Sequence, residues 1–174
     1  MTKTLVIGFG NTLRGDDGAG QHAAIRIAAA YPHVDCLNLT ELIPELAETM
    51  SSYDRVVFVD ASVGTTVLRW QILHPPLEQT SVRTHALSPQ ELLLLTIELY
   101  DHCPRRAELV EIPATDFGYC EQLSPLSEMM VERFVALFGE TQDFGSAEDV
   151  ELWMNGLTSK QALPQLLPSD FRIS

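Results

Sequence analysis

Apolar positions come in short runs separated by polar turns, and their spacing switches repeatedly between the strand and helix periods. Leu5-Val6-Ile7-Gly8-Phe9-Gly10 is an apolar run that ends in glycines, the pattern of a buried strand entering a turn. From Gly18 to Tyr31 the period lengthens. Ala23, Ile27, Ala30 and Tyr31 fall on one helical face, alanines fill the neighbouring positions, and Pro32 stops the helix. Residues 34–39 read as a second strand, and 44–50 as a short helix with Pro44 in its first turn. Arg55-Val-Val-Phe-Val-Asp60 is the clearest central strand, four consecutive apolar residues closed by an acid. Residues 67–73 form a more polar strand suited to a sheet edge. Ser88-Pro89-Gln90-Glu91 combines an N-cap serine, a first-turn proline and a capping-box glutamate, and predicts a helix to about Tyr100. A further strand over 107–112 closes at Pro113, and Ser124-Pro125 opens a last core helix to about Phe138.

Strands alternating with helices at this spacing predict a three-layer α/β sandwich. About five strands should form a largely parallel, twisted sheet with helices on its faces. At 174 residues a single domain is expected. Its predicted extent is 1–140. Residues 141–174 carry two prolines, scattered acids, Trp153 and only a weak helical pattern near 148–154, and read as a tail or late-docking segment.

Charge narrows the partners. Eleven basic against 24 acidic residues leave a net charge of −13. Affinity for a phosphate backbone comes from Lys and Arg, so a nucleic-acid partner is disfavoured, and so is docking on an anionic membrane. The three cysteines, Cys36, Cys103 and Cys120, lack C-x-x-C spacing, which argues against a disulfide framework or a cysteine zinc site. The first residues lack a signal-peptide h-region, and no apolar run reaches transmembrane length. A reduced, cytoplasmic setting and a monomer are expected.

Three places carry candidate chemistry. In the first strand–turn–helix, Gly8-Phe-Gly-Asn-Thr-Leu-Arg-Gly-Asp-Asp-Gly18 lacks the sixth-position glycine of a dinucleotide fingerprint, since Leu13 stands there, and it lacks a Walker lysine. It carries Asp16 and Asp17 instead. One acid is expected to cap the helix and complement its dipole, leaving the other to face a crevice. Asp60 ends the most apolar strand, where ligands of α/β sheets bind. His85 lies in the loop before the Ser88 cap. Alone, each has an ordinary structural reading. Together, two carboxylates and an imidazole make a set of hard and borderline ligands with open positions. That set suits a divalent transition metal without choosing among nickel, zinc and manganese. His22, His33, His74 and His102 have no acid or histidine at a useful spacing and read as surface residues. No G-x-S-x-G elbow, H-E-x-x-H helix or partnered cysteine is present.

With these motifs in place, the chain resembles the nickel–iron hydrogenase maturation endopeptidases. The resemblance rests on Gly8-x-Gly10-Asn11-x-Leu13-x-x-Asp16-Asp17-Gly18-x-Gly20, on the apolar strand into Asp60-Ala61, and on His85-x-Leu-Ser-x-x-Glu91-Leu-Leu, over roughly residues 3 to 138. It implies a phosphorylase/hydrolase-like sandwich. It also implies an enzyme that removes a C-terminal extension from the hydrogenase large-subunit precursor after nickel insertion. Carried over, Asp17, Asp60 and His85 would contact nickel brought by the substrate, with zinc or cadmium able to replace it in a crystal. For the cleavage itself, nickel acts as a Lewis acid while Asp17 or Asp60 positions water, or nickel only positions the substrate and Asp16 or Asp17 is the base. The loop Asn38-Leu-Thr-Glu-Leu-Ile-Pro-Glu-Leu-Ala-Glu48 departs from the Asp-Gly-Gly-Thr-like run of many relatives. It is more similar to the subgroup serving soluble bidirectional, NAD(P)-linked hydrogenases. Two rival readings are a nickel-checkpoint chaperone that does not cut, and a peptidyl-tRNA hydrolase-like esterase. The charge of −13, and Thr12 in place of a proline after Asn11, speak against the second rival.

Overall fold

A computed structural model describes residues 2–76 and 87–142. The chain runs β1 (Thr4–Phe9), a 3-10 turn (Gly15–Gly18), α1 (Ala19–Ala30), β2 (Asp35–Leu39), α2 (Leu46–Met50) and β3 (Arg55–Ser62). It continues through β4 (Arg69–Ile72), α3 (Pro89–Tyr100), β5 (Arg106–Pro113) and α4 (Pro125–Glu140). One five-stranded sheet has the order β2-β1-β3-β5-β4. The β1–β2, β1–β3 and β3–β5 pairings are parallel, and β4 runs antiparallel to β5. The short connection 63–68 is too brief for a crossover helix. β4 therefore runs back at the sheet edge, and β5 fills the place between β3 and β4. The predicted α/β sandwich is thus observed, with the polar 67–73 segment as its antiparallel edge. The predicted Glu148–Met154 helix and the rest of the proposed tail beyond Gln142 fall outside the described residues.

Strand alternation sorts the core into two layers. Val6, Val57, Val59, Val110 and Ile112 face α1 and α4, meeting Ala23, Ala24, Ile27, Val131, Phe134 and Phe138. Leu5, Ile7, Val56, Phe58 and Ala107 face α2 and α3, meeting Leu46, Met50, Leu92 and Leu93. The Ser88 capping box forms as expected: the Ser88 hydroxyl accepts from Glu91 N–H, and Glu91 accepts from Ser88 N–H at 2.7 Å. No helix among the described residues is long and apolar enough to cross a membrane.

The glycines of the opening motif let α1 lie directly on the sheet. A Cβ on Gly20 would fall 2.2 Å from the Val59 carbonyl oxygen and 2.5 Å from that of Phe9, and one on Gly8 would fall 2.0 Å from the Gly20 carbonyl oxygen. These obstacles are backbone and cannot swing aside. Gly20→Ala is therefore expected to destabilise by about 3 kcal/mol, overpacking being the cause. Urea denaturation measures it, and a change under about 0.5 kcal/mol would contradict the close packing.

At the amino-terminal edge of β3 and β5 sits a buried charged cluster the sequence did not announce. Glu108, fully buried, accepts from Arg55 Nη2 at 2.8 Å, from Trp70 Nε1 at 3.2 Å, and from Arg106 Nε. Arg55 also donates to Thr141 Oγ1 at 2.9 Å, and Arg106 Nη2 donates to the Thr141 carbonyl at 3.1 Å. The cluster ties the end of α4 to the base of the sheet. Thr141, at the predicted start of the tail, is itself buried.

Candidate active site

Strand order reverses between β1 and β3, with β2 on one side and β3, β5 and β4 on the other. Ligands of open α/β sheets bind outside the carboxyl ends of the strands at such a switch point. There β1 exits into residues 10–18 and β3 exits through Asp60-Ala61-Ser62.

The first loop is shaped around Asp17. Gly10 sits at φ +127°, and a Cβ there would lie 1.9 Å from the Asp17 carbonyl oxygen, so only glycine fits. Asn11 N–H donates to Asp17 Oδ2 at 3.0 Å, and Leu13 N–H donates to Asn11 Oδ1 at 2.9 Å. Asp17 N–H donates to the Arg14 carbonyl at 3.2 Å, opening the 3-10 turn. Asp17 is half-buried.

Asp16 points elsewhere. It is fully buried. Its Oδ2 accepts from the N–H of Thr115 at 2.8 Å and Asp116 at 2.9 Å and from the Ser124 hydroxyl at 2.8 Å, while Oδ1 accepts from Ser124 N–H at 2.6 Å. Burial alone would raise its pKa. The amides of Thr115, Ser124 and Asp116 and the Ser124 hydroxyl outweigh burial and hold it at about 2. The capping role expected of one acid is taken by neither. The N-cap of α1 is Gly18, with no side-chain cap bond, because both carboxylates serve other backbone amides.

Asp60 is half-buried at the end of β3, and its Oδ1 accepts from Ala61 N–H at 2.8 Å. Burial pushes its pKa up to about 6. The Ala61 amide opposes this, and the charges of Asp17 and Glu111 add to it. Asp60 thus sits partly desolvated at the switch point, within reach of the charge of Asp17. Two carboxylates so arranged favour a cation between them. His85 lies outside the described residues. Among the described residues no three His, Cys, Asp or Glu side chains form a metal-holding group.

Two of the three cysteines are unsuited to nucleophilic work. Burial, with the Asp35 charge, pushes the Cys36 thiol up to about 11, and burial also raises Cys103. His33, His74 and His102 are exposed, as expected of surface residues. The Thr115–Ser124 partners of Asp16 were not foreseen. The Ser124-Pro125 cap was legible, but nothing local shows that the same hydroxyl reaches an acid 108 residues away.

Solved structures provide the comparison. HybD from E. coli superposes with a TM-score of 0.63 at 22% identity, covering 82% of this chain and 94% of that one. The fold is that of the hydrogenase maturation proteases. HybD from Thermococcus kodakarensis gives a TM-score of 0.62 at 22% identity over 79% of this chain and 97% of its own. HycI from Thermococcus kodakarensis KOD1 gives 0.61 at 27% identity over 80% and 91%. No protein-family model matches the chain, and no curated protein matches it by sequence.

Proposed function

We propose that this chain is an endopeptidase that removes the C-terminal extension of a nickel–iron hydrogenase large-subunit precursor. In this reading it recognises nickel already seated in the substrate through Asp17, Asp60 and His85. The observation that carries it is the position of Asp17 and Asp60, after β1 and at the end of β3, at the switch point of a sheet whose structural neighbours are hydrogenase maturation proteases. Two oxygen donors with mutually unfavourable charge suit a hard or borderline divalent cation. The position of Leu87 adds support for His85. Leu87 N–H donates to the Leu42 carbonyl at 3.4 Å, and Leu42 follows the carboxyl end of β2. The chain therefore re-enters α3 at the same sheet edge as the acids, two residues after His85.

A ligand set without thiolate should hold nickel modestly, which suits a protein that inspects a metal carried by substrate cysteines. The substrate's nickel supplies a Lewis acid near the scissile carbonyl. The chain's own part is to orient the substrate with Asp17 and Asp60 and to handle the proton of the attacking water. The likeness of the loop 38–48 to the subgroup serving soluble bidirectional, NAD(P)-linked hydrogenases supports a substrate of that class, in a cytoplasmic setting.

Mass spectrometry of the large subunit tests this. Nickel-loaded precursor incubated with the chain should lose a C-terminal peptide, and nickel-free precursor should not. An unchanged C-terminus in both would reject the protease reading in favour of a checkpoint binder. His85→Ala is expected to leave thermal stability within about 2 °C while abolishing processing, because a loop imidazole supports little core. A larger loss of stability with processing intact would assign His85 a structural role.

A further inference from the structure

Beneath the candidate site the loops 10–18 and 114–124 are zippered together. Gly15 N–H donates to the Cys120 carbonyl at 2.6 Å, Cys120 N–H to Leu13 at 3.2 Å, and Asp16 N–H to Asp116 at 2.8 Å. The Asp16 carboxylate closes the zipper by accepting from the backbones of Thr115, Asp116 and Ser124 and from the Ser124 hydroxyl. An ionised carboxylate offers about four lone-pair sites. Three of these donors crowd Oδ2 and one reaches Oδ1, and it is the complete burial of Asp16 that keeps a substrate water from it.

Successive residues of a 3-10 turn point about 120° apart. Fastening one side chain of the turn therefore sets the direction of the next. Resting on the functional reading above, we propose that Asp16 is a positioning residue. It anchors the Gly15–Gly18 turn to the 114–124 loop and so aims the Asp17 carboxylate at Asn11 N–H and toward Asp60. Asp16 takes no part in proton transfer. Its influence on cleavage passes through Asp17, where a misplacement of about 1 Å costs on the order of 100-fold in rate.

Two variants test this in the full chain. Asp16→Asn substitutes an amide N–H₂ for one acceptor and sets it against a backbone donor. Ser124→Ala removes one donor and leaves the carboxylate. The Asn11 amide, bonded to Asp17, reports aim directly in 15N NMR spectra. In Asp16→Asn its signal should move and its hydrogen exchange accelerate by about 10-fold or more, with the β3 amides Val56–Val59 unchanged. Ser124→Ala should shift it in the same direction by less. With nickel-loaded precursor, kcat should fall about 100-fold in Asp16→Asn and several-fold in Ser124→Ala, with KM nearly constant, at a temperature where both are folded. An unmoved Asn11 amide in a folded Asp16→Asn, or wild-type kcat in it, overturns the proposal. So does a dead Asp16→Asn beside a Ser124→Ala with wild-type kcat, which would mark direct catalysis. Should Asp16→Asn fail to fold, Ser124→Ala is judged by the same two readouts. Should wild-type chain leave the precursor uncut, the protease reading falls, and the Asn11 signal alone judges the positioning role.

Discussion

Asp60→Asn is expected to abolish precursor processing, by about 1,000-fold or more, and at the same time to make the free protein more stable at neutral pH. The two effects share one cause. Burial, aided by the charges of Asp17 and Glu111, raises the folded-state pKa of Asp60 from 3.8 to about 6. A raised folded pKa means the native state holds the proton more tightly than the unfolded chain. The resulting stability is fully present below about pH 4 and is lost as pH rises through 6. At pH 7.5 the ionised carboxylate costs about 2 kcal/mol, once screening of the half-buried group is allowed for. Asparagine mimics the protonated form and keeps an oxygen for the Ala61 N–H. Chelator-washed Asp60→Asn should therefore exceed wild type in urea denaturation at pH 7.5 and match it near pH 3.5. Asp17→Asn should give a smaller gain, since it removes a lesser cause and leaves the burial. Equal stabilities of Asp60→Asn and wild type at both pH values would show that Asp60 is not strained by its site. Activity lost with stability gained is the signature of a carboxylate kept for a ligand rather than for folding.

How much of this was legible in the sequence differs between fold and site. Apolar runs with β-branched residues announced the parallel strands, because a strand buried on both faces needs no polar position. Ser88 to Glu91 announced the start of α3 through purely local chemistry. The opening motif announced a tight strand–turn–helix, and the steric contacts of Gly8, Gly10 and Gly20 give the reason for each glycine. The positions of Asp17 and Asp60 were legible because strand ends are predictable places. The division of labour between Asp16 and Asp17 was not, since it depends on a loop 99 to 108 residues further along the chain. The expectation of a cap on α1 failed for the same reason: local propensity yields to donors arriving from another element. The role of Arg55 was hidden too. It opens the predicted central strand, and nothing local shows that its guanidinium is buried against Phe138, 5.0 Å from the ring centre.

Replacing Glu108 by Gln is expected to cost the largest amount of stability of any single change discussed, about 3–5 kcal/mol. Glu108 is the anion between two guanidinium groups, with side chains 2% and 6% exposed on Arg55 and Arg106 and 0% on Glu108 itself. Burial already pushes the pKa of Arg55 down from its ordinary value. Glu108 opposes that shift, and Arg106 adds to it. Removing the carboxylate leaves two like charges side by side in the sheet base, and one amide hydrogen facing donors. Among the described residues Arg55 Nε already lacks a partner, so the cluster has no spare acceptor to offer. A domain of this size has roughly 5–15 kcal/mol in total, so Glu108→Gln should lose a large fraction of it and melt at a markedly lower temperature. The cause can be separated from loss of shape. Replacing Arg55, Glu108 and Arg106 together with Leu removes the charges along with their partner, and should recover most of the loss. Thermal denaturation of the single and triple variants measures this. A triple variant as unstable as Glu108→Gln would mean that the hydrogen bonds to Thr141, rather than charge balance, hold α4 to the base of the sheet. Because the cluster sits at the strand ends opposite Asp17 and Asp60, the folded fraction of either variant should process precursor at the wild-type rate per molecule.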